Sequence, residues 1–368
     1  MKIHWFLPTG GDSRDVVPEG PNAHWRPPTN EYLAQIAQAC DDLGYDAMLT
    51  PCGTACEDAW LATASLIPLT KRIKFLVAFR PGFLSPTLAA QMASTYQRMS
   101  GGRLLINIVT GAEPRELNRF GDWLDKDARY ERTGEFLDIM SNALSGDPYD
   151  FDGKHYRVAE ATTREVPEPR PLIYFGGASP AAEQVAAEHV DVYLAWGEPP
   201  SMVAERIERM RELSAAKGRT LTYGIRFHVI ARPTSSAAWA VADEMLAHMA
   251  PEAIEEAQAD FSTTMSEGQR RMAELHSGDM GNLEVHPNVW AGIGLVRGGA
   301  GTALVGSYEE VADRICEYHE LGFDEFVLSG YPHLEEAYWF GEGVLPILRN
   351  RGLVEGVAER SANASTFR

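Results

Sequence analysis

Eight short apolar runs recur along the chain, separated by longer amphipathic segments. They are KIHWFLP (2–8), DAMLTP (46–51), KFLVAF (74–79), LLINIVT (104–110), PLIYFGG (171–177), VYLAW (192–196), YGIRFHVI (223–230) and EFVLSGY (325–331). Strands covered on both faces read as unbroken apolar runs, and parallel neighbours need a crossover of a dozen or more residues, usually a helix. The gaps hold such helices, for example NEYLAQIAQACDDLGY and PSMVAERIERMRELSAAKG, where Gly218 follows a helical pattern as a stop. Eight strands alternating with helices predict an α/β chain folded as a (β/α)8 TIM barrel. A doubly wound sheet would need GxGxxG after the first strand, and PTGGDSRD does not supply it.

Two stretches exceed minimal barrel spacing. GDPYDFDGKHYRV (146–158) reads as a hairpin inserted before the fifth strand. Between the seventh and eighth strands lies a long insertion ending in the glycine-rich GIGLVRGGAGTALVG. Long insertions in barrels usually cover the site or serve assembly. We therefore expect a single catalytic barrel over 1–351, a lid at about 250–300 and a flexible tail over 352–368. Residues 262–300 are expected to be mobile until a ligand is bound.

Lys and Arg total 33 against 52 Asp and Glu, a formal net charge of −19. Such a surface disfavours nucleic acid and anionic lipid, and an anionic ligand must be captured by locally placed cations. No run approaches the roughly 18 apolar residues of a membrane span, and the start MKIHWFLPTG lacks a signal-peptide core. The four cysteines form no disulfide framework, and Cys52 and Cys56 lack a second half-site for zinc. The expectation is a cytoplasmic protein without a metal.

In a barrel the C-terminal strand ends build the active site. Here they carry Asn107 and Thr110, the Gly176–Ser179 turn, Trp196, the pair Arg226 and His228, and SGYPH. Strand periodicity puts Arg226 and His228 on one face, opposite Ile225, Phe227 and Val229. Each has a plainer reading: Asn107 and Thr110 as strand-end caps, Trp196 and His228 as core. Arg226 resists one, because a buried guanidinium needs an internal carboxylate or a ligand anion. Gly177-Ala178-Ser179 followed by Pro180 places free amides at a helix start, suited to phosphate, or is simply a tight turn. Arg297, in its glycine-rich stretch, reads as a cation on a lid or as a solvated loop charge.

Taken together, LLINIVTG, YFGGAS, VYLAWGEPP, YGIRFHVI, NVWAGIGLVRGGAGTALVG and FVLSGYPHLEEAY resemble the FMNH2-dependent alkanesulfonate monooxygenases, within the bacterial-luciferase-like flavin enzymes. The resemblance runs from residue 3 to about 348. It implies a two-component system, in which a separate NAD(P)H-dependent flavin reductase supplies FMNH2 and O2 is activated in a water-poor pocket. The C–S bond of an organosulfonate then breaks to give an aldehyde and sulfite. The resemblance further implies a homodimer or homotetramer. It assigns Cys56 beside the flavin, Trp196, Arg226, His228, Arg297 and Tyr331 to the substrate and its chemistry, and Asn107, Thr110, Tyr130 and Gly177-Ala178-Ser179 to the flavin and its phosphate. On this reading Arg226 and Arg297 clamp the sulfonate, His228 orients it or stabilises activated oxygen, and Tyr331 donates to an oxyanion.

The sequence departs from the family at Gly10, where PTGGD replaces a histidine-bearing PTHGD, and at Cys52, where threonine is usual. The loop that follows is long and carries Asp12, Arg14, Asp15, Asn22, His24 and Trp25. A missing imidazole suggests a roomier pocket, Gly10 and Trp25 become candidate substrate contacts, and the polar loop suits a hydroxylated body. The expected substrate is sulfoquinovose, oxidised to 6-oxo-glucose and sulfite, with a simple alkanesulfonate as the alternative. Rival classes are a deazaflavin-dependent oxidoreductase and a non-catalytic sulfonate-binding protein.

Overall fold

The computed structural model describes residues 1–17 and 24–356. Asn22 and the tail from residue 357 onward, both invoked above, lie outside the described residues. Eight parallel strands close on themselves in chain order: Lys2–Phe6, Ala47–Thr50, Lys74–Phe79, Leu104–Ile108, Ile173–Gly176, Val192–Trp196, Thr222–Arg232 and Glu325–Ser329. The eighth pairs back with the first, Trp5 opposite Leu328, and the sixth with the seventh, Trp196 opposite Arg226. All eight predicted runs are barrel strands.

Alternation along these strands divides the core into two layers. Ile3 and Trp5 point outward into the large cluster shared with the helices, as do Ile225, Phe227 and Val229. Phe6, Leu49, Leu76, Leu105, Tyr174 and Val327 fill the barrel. The outer shell follows from helical periodicity: on Asn30–Leu43, Leu33, Ile36, Ala37 and Cys40 recur at i, i+3, i+4 and i+7, and all are buried. Thr29 caps that helix at its start, and Gly44 ends it in a left-handed conformation at φ 84°.

The barrel floor is polar. Glu325, 1% exposed, accepts from Lys2 (2.9 Å) and the Tyr174 hydroxyl (2.7 Å) and lies 2.9 Å from His4 Nε2. Burial alone would raise this carboxyl; His4 and Lys2 outweigh it and hold it at about 2.

The hairpin expected at 146–158 is present as Tyr149–Asp152 paired with Arg157–Ala161. The long insertion has secondary structure of its own. It contains helices Ser235–Ala247, Pro251–Ser262 and Glu267–Glu274, the short strands Glu284–His286 and Val289–Trp290, and the strand Ala303–Ser307. Ile230, Met245, Ile254, Leu283, Trp290 and Leu295 belong to a separate apolar cluster beneath it. Ala303–Ser307 continues along the edge of the seventh strand where the sixth stops: Gly197 N–H donates to Arg226 O, and His228 N–H donates to Thr302 O. This lengthens the seventh strand to 11 residues and carries the insertion over the barrel mouth. Among the described residues no helix is long and apolar enough to cross a membrane.

Candidate active site

A cavity of about 300 Å³ opens at the C-terminal end of the barrel. Strand ends bring Asn107, Trp196 and Arg226 to its wall, and the following turns add Thr110, Gly177, Ala178 and Ser179. Tyr130 arrives on the helix Lys126–Ala143, together with Lys126 and Arg129. Every residue expected to hold the flavin therefore lines one cavity, with Trp196 and Arg226.

At one end, Ser179 caps the helix Pro180–His189, its hydroxyl accepting from Ala182 N–H. It also hydrogen-bonds with Tyr130, whose phenol is raised by burial. A side chain at Gly177 would put its Cβ 2.5 Å from that of Ala182, so only glycine lets the turn close onto the helix. Arg129 is 2% exposed; Nη1 donates to Leu124 O, while Nε and Nη2 have no partner. The Thr110 hydroxyl is likewise buried without one. A helix start, two cations and unsatisfied donors are what a phosphate group satisfies.

At the barrel axis, the Arg226 guanidinium lies 4.4 Å from the centre of the Phe6 ring, and that of Arg297 lies 5.9 Å from the same ring. Arg226 faces the cavity, yet Nε and Nη2 are shielded by protein and unpartnered. Arg297 Nη1 reaches only the Gly298 and Ala300 carbonyls, at 3.2 and 3.4 Å. Among the described residues neither has a carboxylate within ion-pair distance. Burial and the nearby Arg297 push Arg226 down to about 9, so it remains a cation at neutral pH and lacks an anion.

His228, 1% exposed, sits behind this pair and outside the cavity wall. Its Nε2 must carry the proton donated to Ala300 O (3.1 Å), which leaves Nδ1 to accept from Ser329 Oγ (3.0 Å). Burial first, then Arg297 and Arg226, hold the imidazole well below its usual range, so it is neutral. Tyr331 stacks on it with ring centres 5.4 Å apart. Through Ala300 the imidazole holds the turn that follows Arg297.

The other expected contacts lie elsewhere. Cys56 lines a second cavity of about 570 Å³, and Cys52 and Ala78 line both cavities. Its thiol is raised by burial. Gly10 opens no extra room, because a Cβ there would come 2.9 Å from Ala55 O. Trp25, 51% exposed, lies across Gly11, whose φ of +102° and missing side chain accommodate the indole. Asp12 is already occupied: it accepts from the Tyr32 hydroxyl (2.6 Å) and from His333 N and Nδ1 (2.8 Å each).

Sequence reasoning missed the groups that hold the helix Glu267–Glu274 beside the cavity. Glu198, fully buried, takes hydrogen bonds from Arg206 Nη2 (2.7 and 3.0 Å) and from Arg271 Nε (2.9 Å) and Nη2 (2.6 Å). Arg271 belongs to Glu267–Glu274, and Met265, Ser266, Glu267 and Gly268 at the start of that segment line the first cavity. A Cβ on Gly268 would lie 3.0 Å from the Trp196 ring, so this segment rests on the indole. The acidic GEPP following the sixth strand was the available signal; its partner, 73 residues away, was not readable.

The sequence profile of the luciferase-like monooxygenases matches residues 1–325. Solved structures with the same fold include riboflavin lyase with modified FMN and riboflavin, at 22% identity over 96% of this chain and 92% of that one, TM-score 0.81. A long-chain alkane monooxygenase matches at 20% identity over 96% and 92%, TM-score 0.78. The EDTA monooxygenase of Chelativorans sp. BNC1 matches at 19% over 98% and 97%, TM-score 0.75. With the closed barrel and its C-terminal cavity in place, the chain belongs to the luciferase-like monooxygenase family of flavin-dependent enzymes.

Proposed function

We propose that the protein is a two-component FMNH2- and O2-dependent monooxygenase that cleaves the C–S bond of an organosulfonate. One oxygen atom ends in the aldehyde and the other in water, and the sulfonate leaves as sulfite with release of one proton. The observation that carries this reading is the pair Arg226 and Arg297, two cations over one Phe6 ring with no carboxylate partner among the described residues. A sulfonate is a permanent anion with three acceptor oxygens, matched to the planar donor fork of arginine.

The residues of the first cavity fit FMN. Tyr130, Ser179 and the Gly177-Ala178 amides would hold its phosphate, with Lys126 and Arg129 supplying charge, and Asn107 and Thr110 would contact the flavin further in. Reduced FMN supplies the electrons that activate O2. Trp196 and the lid on it exclude water; His228 keeps the Arg297 turn in place through Ala300. Tyr331 would donate to the developing oxyanion, and Cys56 would face the reaction from the second cavity. The flavin would arrive reduced from an NAD(P)H-dependent reductase in a transient encounter, and the working unit would be a homodimer or homotetramer.

For the body of the sulfonate, sulfoquinovose and a simple alkanesulfonate are the two readings. Trp25 still supports the sugar as an exposed indole platform, whereas neither Gly10 nor Asp12 adds to that case. Sulfite release from the two, compared side by side, decides between them. Replacing Arg226 by Ala or Lys should lower kcat/KM for the sulfonate about ten- to a hundredfold at saturating FMNH2, the value of a lost charge-assisted hydrogen bond. Full sulfite release by either variant contradicts the clamp.

A further inference from the structure

Two imidazoles flank Tyr331, with ring centres 5.4 Å away for His228 and 5.3 Å away for His333. His228 has both nitrogens committed, one to Ala300 O and the other to Ser329 Oγ. His333, the first residue of the helix His333–Asn350, commits only Nδ1, to Asp12 Oδ1 at 2.8 Å. Among the described residues its Nε2 has no hydrogen-bond partner. The ring centre lies 5.6 Å from that of Phe6, the ring that also carries Arg226 and Arg297.

Asp12 fixes how this imidazole is protonated. Its side chain is fully buried, and among the described residues His333 is its only ion-pair partner. The carboxylate accepts from Ser13 N–H (2.9 Å), the Tyr32 hydroxyl (2.6 Å), and His333 N–H and Nδ1 (2.8 Å each). Burial works against its charge; the contacts with His333 and Tyr32 outweigh burial and keep it below the usual carboxylate range. Tyr32 is fixed in turn by Arg26 Nη1 (3.0 Å), which Glu335 anchors at 2.7 Å. An anionic Asp12 requires the proton on Nδ1, which leaves the lone pair of the neutral ring on Nε2. It also stabilises the imidazolium that forms when Nε2 takes a proton. No other group nearby competes for that proton. His228 is neutral, Glu336 on the same helix is spent on Arg232, and Arg226 and Arg297 are cations.

We propose that His333 is a catalytic base, with Asp12 as its positioning residue, in the breakdown of a 1-hydroxysulfonate to an aldehyde and sulfite. The proposal rests on the reading that Arg226 and Arg297 hold the sulfonate. The hydroxyl proton passes to Nε2, the C–O double bond forms, and the C–S electron pair leaves with sulfur. This step consumes neither flavin nor O2, so the protein should perform it alone.

The test is run under nitrogen, with and without oxidised FMN, on hydroxymethanesulfonate, and formaldehyde release is followed with a hydrazine trap. The wild type should outpace buffer. His333→Gln should lower kcat about a hundredfold, within the range of a general base, with KM held within about twofold. Asp12→Asn should lower kcat about ten- to a hundredfold, the value of a charge-assisted hydrogen bond, again at nearly constant KM. Methanesulfonate, which has no hydroxyl, should inhibit all three proteins equally and so report an intact head-group site. In the 15N spectrum of histidine-labelled wild type at about pH 8, the His333 proton should sit on Nδ1. The His333→Gln spectrum assigns the signal.

Cleavage no faster than in buffer, a loss confined to KM, or a proton on Nε2 overturns the proposal. If a variant loses methanesulfonate inhibition, the wild-type rate and spectrum decide. Cleavage through His333, with no sulfite from any sulfonate under FMNH2 and O2, sinks the monooxygenase reading and leaves this proposal standing. Sulfite from a sulfonate, with hydroxymethanesulfonate left intact, does the reverse.

Discussion

Removing Arg271 should loosen the lid while leaving the barrel folded. Glu198 is fully buried and accepts from two arginines within 3.0 Å. The Arg206 side chain is 5% exposed and stays in place in Arg271→Ala, so the carboxylate keeps a partner. What is lost is the pair of charge-assisted hydrogen bonds from a side chain that is 26% exposed. Two such bonds would contribute several kcal/mol if dry; solvent screening reduces the net to about 2 kcal/mol. That amounts to roughly thirtyfold more frequent opening of Glu267–Glu274. Native-state hydrogen exchange should show this acceleration in the amides of that helix, with little change in the barrel strands. Glu198→Ala is the contrasting case: it strands a buried Arg206 and should cost about 3–5 kcal/mol of global stability in urea. Unchanged exchange across Glu267–Glu274 in Arg271→Ala would show that packing on Trp196, and not the ion pair, holds the lid.

Tyr130→Phe and Ser179→Ala should each weaken FMNH2 binding about tenfold, read by anaerobic titration, if they contact the phosphate. His228 is neutral when folded and takes up a proton once unfolded below pH ~6.5, so it lowers stability by up to about 1.4 kcal/mol per pH unit as pH falls below that value. His228→Gln should flatten the stability profile in this window, measured by urea midpoints between pH 4 and 7. Glu325 works in the other sense: its contribution is complete above its unfolded value near 4.5 and disappears as pH falls towards 2. Glu325→Gln should cost about 3 kcal/mol at pH 7 and nearly nothing at pH 2, where thermal unfolding can be compared.

The barrel was legible because its signal is local. A strand such as YGIRFHVI declares both its type and its inward face, and Ile225, Phe227 and Val229 do pack outward. The residues that line the first cavity were legible for a related reason: βα turns at one barrel end must converge, so Asn107, Thr110 and Ser179 come together once the fold is known. Pairing across long separations was not. Nothing in the chain says that Glu198 takes Arg206 and Arg271 while Arg226 and Arg297 go without. The missing imidazole at Gly10 also misled, since it suggested space that the Ala55 carbonyl already fills. The packing of the insertion was not legible because its apolar residues are spread over some 75 positions, and only in the fold do Ile230, Met245, Ile254 and Trp290 join one cluster.

Whether the two guanidiniums over Phe6 exist to hold an oxidised sulfur group is decided by product. The purified protein, an NAD(P)H-driven flavin reductase, FMN and O2 should release sulfite and aldehyde in equal amounts from at least one sulfonate, and none when FMN or O2 is withheld. Reduced FMN that binds in the first cavity, with no sulfite from sulfoquinovose or from simple alkanesulfonates, would contradict the account.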